Sequence, residues 1–121
     1  MAVIEDDASF RRALSRALGL HGFRTDAFAS AEEFLHRQDA ERVDCIVLDI
    51  HLGGMSGFEL QAELAARSTP PPIIFITAFD DPATRQRAQE VGAAGYLQKP
   101  FDDQSLVQAI NRAARRTSRS S

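Results

Sequence analysis

The stretch that decides the fold is Val43-Asp44-Cys45-Ile46-Val47-Leu48-Asp49-Ile50-His51-Leu52-Gly53-Gly54-Met55-Ser56-Gly57-Phe58-Glu59-Leu60. From Cys45 to Leu48 the apolar residues are continuous rather than alternating. That is the pattern of a central parallel strand covered on both faces. The run ends on a carboxylate, Asp49. Gly53, Gly54 and Gly57 then make a loop, and Phe58, Leu60 and Leu64 open a helix.

The same unit recurs on either side. Upstream, Ala2-Val3-Ile4 is followed by the acids Glu5-Asp6-Asp7. Phe10, Ala13, Leu14, Ala17 and Leu18 then repeat at helical spacing until Gly22, with Asp7 suited to cap that helix. Phe23 to Phe28 is a more polar strand, as expected of a sheet edge, and Ser30-Ala31-Glu32-Glu33 is a capping-box pattern. Downstream, Pro70-Pro71-Pro72 stops the chain before an Ile73–Ile76 strand that ends on Thr77. Asp80-Asp81-Pro82 suits a helix start, and Gly92 its end. Gly95 to Leu97 reads as a short buried strand running into Gln98-Lys99-Pro100-Phe101, and Leu106, Val107, Ile110 and Ala113 form the inner face of a last helix.

Five strand–helix units predict an α/β fold, a doubly wound parallel sheet with helices on both faces. In such sheets ligands bind outside the carboxyl ends of the strands. Glu5, Asp6, Asp49, Thr77 and Lys99 all follow strands, so the fold alone makes them neighbours.

Size and composition narrow the classes. A chain of 121 residues is one domain, able to bury roughly two-thirds of its unfolded surface. With 44% apolar and 26% charged residues it is an ordinary globular composition. No apolar run is long enough to span a membrane, and no signal peptide opens the chain. Cys45 is the single cysteine, which excludes a disulfide framework or cysteine zinc site and makes a reducing cytoplasm the expected compartment. All seventeen acids lie at or before Asp103, whereas Arg112, Arg115, Arg116 and Arg119 follow it. An acidic body argues against nucleic acid as a direct ligand. The basic end suits a helix C-terminus, and residues 117–121 read as a polar tail or the start of a linker.

Lys99 is the only lysine beside thirteen arginines, a compact point charge where every other cation is a guanidinium. Three carboxylates drawn together repel one another and call for a hard, oxygen-seeking cation such as Mg²⁺. The charges close: Glu5, Asp6 and Asp49 balance one divalent ion and Lys99. A carboxylate beside a metal, an ammonium and a hydroxyl is equipped as a nucleophile toward phosphorus, forming an aspartyl phosphate.

Four motifs in order carry a resemblance: Glu5-Asp6-Asp7, Leu48 to Gly57, Ile76-Thr77-Ala78 and Gly95 to Phe101. Asp49 lies 43 residues after Asp6, 28 before Thr77 and 50 before Lys99. In these motifs and spacings the chain resembles the two-component response-regulator receiver domains, the CheY-like family, over residues 1–116. The resemblance implies a flavodoxin-like sheet of strand order 2-1-3-4-5. It implies that Asp49 takes a phosphoryl group from a sensor histidine kinase, and that Glu5, Asp6, Asp49 and the His51 backbone carbonyl hold Mg²⁺, with Mn²⁺ as a substitute. Thr77 and Lys99 would grip the phosphoryl oxygens, and Tyr96 would turn inward as Thr77 moves. Read from the residue itself, Tyr96 serves equally as core, surface or switch. A cis Lys99–Pro100 bond, an effector domain or downstream partner (transcription being one such output) and a homodimer on phosphorylation are implied too.

Two positions depart from the family pattern. Gly53 stands where proline is usual, so a more mobile loop is expected before phosphorylation. His51 and Phe79 occupy positions that often set how fast the acyl phosphate hydrolyses, and bulky Phe79 is expected to slow water. The competing enzyme reading is a Mg²⁺-dependent phosphatase of the haloacid-dehalogenase type, but that type needs a second acid where His51 stands. A flavodoxin-like cofactor binder lacks a phosphate loop after the first strand. His21, His36 and His51 lie on different elements and make no zinc site. Arg85 and Arg87 read as a solvated helix face, with partner contact the minority option.

Overall fold

The computed structural model describes residues 1–37 and 43–120, with side chains described up to Arg115. The chain alternates β1 (Ala2–Ile4), α1 (Ala8–Leu20), β2 (Asp26–Phe28), α2 (Ala31–His36), β3 (Ile46–Asp49), α3 (Gly57–Arg67), β4 (Ile73–Thr77), α4 (Pro82–Glu90), β5 (Gly95–Gln98) and α5 (Asp103–Ser120). The strands form one parallel sheet in the order β2-β1-β3-β4-β5. This is the doubly wound, flavodoxin-like arrangement expected. The expected tail at 117–121 has no described side chains, and the α5 backbone runs through Ser120.

Side-chain alternation along the strands splits the core in two. Ile4, Leu48 and Phe75 face one way and pack with Phe34 of α2, Phe58 and Leu64 of α3 and Ala88 of α4. Val3, Val47, Ile74 and Ile76 face the other way, onto Leu14 and Leu18 of α1 and Leu106 and Ile110 of α5. β3 and β4 are buried throughout, which is why their sequences run apolar without a break.

The edges differ from the reading of the sequence. β2 begins at Asp26, not Phe23, because Phe23 is spent on ending α1: its N–H donates to Leu18 O while Gly22 N–H donates to Gly19 O. That pair of bonds is a Schellman motif, and it ties Phe23 to the helix end. β5 is half-buried rather than buried, since strand order leaves it at the sheet edge. Ala13 is exposed.

Helix starts follow the capping residues. Asp7 accepts the Phe10 N–H, Asp81 the Thr84 N–H ahead of Pro82, and Asp102 the Ser105 N–H. Ser30 accepts from Glu33 N, but the Glu33 carboxylate reaches past the cap to Ala29 N. Ser56 with Glu59, at the head of α3, makes a complete capping box.

Candidate functional site

Glu5, Asp6, Asp49, Thr77 and Lys99 follow or end strands at the carboxyl edge of the sheet. Glu5 continues β1, its N–H donating to Phe28 O, and its side chain is wholly buried. Asp49 is the last residue of β3 and Thr77 the last of β4, both buried. The Lys99 N–H donates to Thr77 O at 2.7 Å, so the lysine backbone is fixed to the end of the neighbouring strand. The Lys99–Pro100 bond is cis, as expected.

The Lys99 ammonium donates to Asp49 Oδ2 at 2.8 Å and to Glu5 Oε1, and it lies 4.4 Å from the centre of the Phe10 ring. One cation therefore clamps acids from two strands against an aromatic face. Burial pushes the Glu5 carboxyl up to about 7; the lysine pulls it back only in part, and Asp49 adds to the rise. Burial acts to lower Lys99, yet its bonds to Asp49 and Glu5 outweigh it and leave the ammonium above its ordinary range. The other Asp49 oxygen, Oδ1, accepts the His51 N–H at 2.9 Å.

Glu5, Asp6 and Asp49 each present a carboxylate oxygen within 4.8 Å of the others. Oxygens that ligate Mg²⁺ octahedrally at about 2.1 Å stand about 3 to 4.2 Å apart, so a small contraction suffices. The donor set is all oxygen, and Asp6 is exposed, leaving a way in from solvent. The residues fit a hard divalent cation. Asp6 Oδ2 also accepts the Gly53 N–H at 3.3 Å, a bond that proline at this position would lack.

The Thr77 hydroxyl is not on Asp49. It accepts the Phe79 N–H at 3.0 Å and donates to Phe79 O at 3.3 Å. Phe79 itself is 67% exposed, and its ring meets the exposed His51 edge-on at 5.3 Å. Phe79 thus packs on the residue whose backbone N–H holds Asp49.

Tyr96 is half-buried against the α2–α4 core, and its hydroxyl donates to Asp80 Oδ1 at 2.9 Å. Asp80 Oδ2 accepts from Arg85 at 2.7 Å, and the Arg85 guanidinium lies 4.9 Å from the centre of the Tyr96 ring. Burial and the Asp80 carboxylate push the tyrosine up to about 12. Arg85 is thus paired, and the Arg87 guanidinium lies 4.3 Å from the Phe58 ring centre, so neither is simply a solvated helix face.

Sequence reasoning missed three parts of this frame. Phe10, one of the residues at helical spacing in α1, is half-buried beneath the ammonium. Arg11 reaches back to Glu5 O at 2.8 Å and steadies the turn after β1. Asp80 was read only as part of a helix start. The cap there is Asp81, so an unassigned neighbouring acid was the available signal.

Comparison with known proteins agrees with the geometry. The family model described as "Response regulator receiver domain" matches residues 1–111. Nodulation protein W of Bradyrhizobium diazoefficiens is 42% identical over 114 residues, which is 94% of this chain and 50% of that protein. The transcriptional regulatory protein FixJ of the same organism is 34% identical over 113 residues, covering 93% and 55%. The chain spans about half the length of the curated relatives it matches. A solved structure titled FixJ-N superposes with a TM-score of 0.84 at 32% identity, covering 94% of this chain and 91% of that one. Response regulator StyR gives 0.85 at 41% identity, covering 98% and 63%.

Proposed function

This chain belongs to the response regulator receiver domain family, and from that premise we propose that it is a phosphoacceptor switch with Asp49 as the acceptor. The observation that carries the proposal is the clamp: Lys99 bonded to both Asp49 and Glu5, with Asp6 closing an acidic trio. An Asp49 carboxylate oxygen attacks the phosphorus of a phosphohistidine on a sensor histidine kinase. The P–O bond forms as the P–N bond breaks, and the imidazole leaves with the electron pair. Lys99 is already placed to follow the transferred group, as one of its two carboxylate bonds is to the acceptor itself.

Glu5, Asp6, Asp49 and the His51 carbonyl would hold Mg²⁺, or Mn²⁺ in its place. Bound there, the ion supplies positive charge to the phosphoryl oxygens. Thr77 must give up its bonds to the Phe79 backbone to reach the phosphoryl group. That exchange frees space and changes the β4–α4 turn, where Asp80 holds the Tyr96 hydroxyl. Tyr96 then turns inward, and the surface of α4, β5 and α5 changes its affinity for an effector domain, a downstream partner or a second copy. A differential affinity of about 1.4 kcal/mol is enough for a tenfold shift.

Mg²⁺-dependent labelling by a small phosphodonor tests the reading. One phosphoryl group per chain is expected in the wild type and none in Asp49→Asn. Repeated turnover of a generic phosphatase substrate would instead favour the haloacid-dehalogenase-type enzyme and sink the switch.

A further inference from the structure

Two backbone amides of the loop between β3 and α3 donate to carboxylates that lie beyond both flanking elements. Gly53 N–H goes to Asp6 Oδ2 at 3.3 Å, and Met55 N–H goes to Glu32 Oε2 of α2 at 3.0 Å. Between them lies Gly54 at φ +75°, a backbone conformation that suits glycine. A Cβ built on Gly54 would stand 2.7 Å from Glu32 Oε2, so the Glu32 carboxylate rests on the bare glycine. The Met55 N–H, above all, holds that carboxylate below its ordinary range, which marks the bond as made to the charged form.

We propose that Glu32 is a positioning residue for the divalent-cation site: by pinning Met55 from α2 it aims the Gly53 amide at Asp6. Of the three acids in the trio, Glu5 and Asp49 are buried and already fixed by Lys99, while Asp6 is exposed. Its carboxylate is the one free to sample other rotamers. The Gly53 amide is a donor outside the acidic trio that restrains it, and that amide is only as fixed as its loop. Proline at 53 would stiffen the chain by its ring but offer no N–H. Here glycine keeps the donor, and the stiffness comes from a carboxylate on the adjacent helix. The inference rests on the reading of Glu5, Asp6 and Asp49 as a cation site.

The test compares wild type, Glu32→Ala and Glu32→Gln by Mn²⁺ binding, followed by the electron-spin signal of free Mn²⁺, and by amide shifts of the metal-free proteins. Glu32→Ala is expected to weaken Mn²⁺ by about 3- to 10-fold. That is less than the about 10- to 100-fold of a direct outer-shell partner, because Glu32 acts through two amides. It should also move the Gly53 amide proton together with that of Met55. Glu32→Gln, which keeps an acceptor oxygen, should restore both. A merely structural Glu32 would move Met55 alone and leave Gly53 and Mn²⁺ affinity unchanged, overturning the inference. No Mn²⁺ binding by the wild type would bring down the cation site itself, and the inference with it.

Discussion

Tyr96 is the one tyrosine of the chain, and there is no tryptophan, so ultraviolet absorbance at high pH follows its hydroxyl alone. The midpoint is expected near about 12 in the wild type, and lower, toward the ordinary value of 10, in Asp80→Asn, which loses the carboxylate acceptor. An unshifted midpoint in the variant would remove Asp80 from the account. The sign for stability follows: the folded state keeps this proton longer than the unfolded chain. This group's contribution is therefore full below pH 10 and lost as pH rises through 10 to 12. A second residue-scale expectation concerns Phe79, whose ring packs on His51, the residue whose N–H holds Asp49. Phe79→Glu should speed loss of the phosphoryl group several-fold, read as decay of labelled protein after the donor is removed; an unchanged decay would refute the shielding role. Glu5, Asp49 and Thr77 were legible because each follows an apolar run that reads as a strand, and Lys99 because it is the one lysine, set before a proline. Asp80, Glu32 and Phe10 were not, since each acts across a distance in sequence that periodicity does not encode.

Among the elements, α3 depends on how closely it approaches the end of β3. A Cβ on Gly57 would lie 2.5 Å from Asp49 O and 2.9 Å from Ile50 Cα, both backbone atoms that cannot step aside. Gly57→Ala should therefore cost about 1 to 3 kcal/mol, measured as a lower urea midpoint. An unmoved midpoint would mean that the helix start shifts freely. Ser56→Ala, which deletes half of the capping box, should cost about 1 kcal/mol. Central strands were easier to read than edge strands, for a physical reason. β3 and β4 are covered on both sides and advertise it by composition, whereas β2 and β5 share residues with turns and solvent. The box at Ser56 was hidden by its glycines, which made the whole stretch look like loop.

For the molecule as a whole, a ligand that binds only the folded state adds stability by mass action. Mg²⁺ at about a hundredfold over its dissociation constant should add about 2.7 kcal/mol. For a domain of this size that raises the melting temperature by roughly 10 °C. A chelator should reverse the rise, and Asp6→Asn should blunt it; equal melting with and without Mg²⁺ would contradict an acidic trio that holds a cation. The same architecture has a consequence for biosynthesis. Lys99 closes on Glu5 across 94 residues, so a nascent polypeptide carries its two inward-facing acids long before their counter-ion leaves the ribosome. The clamp on Asp49 and Glu5 therefore closes only once β5 has been made.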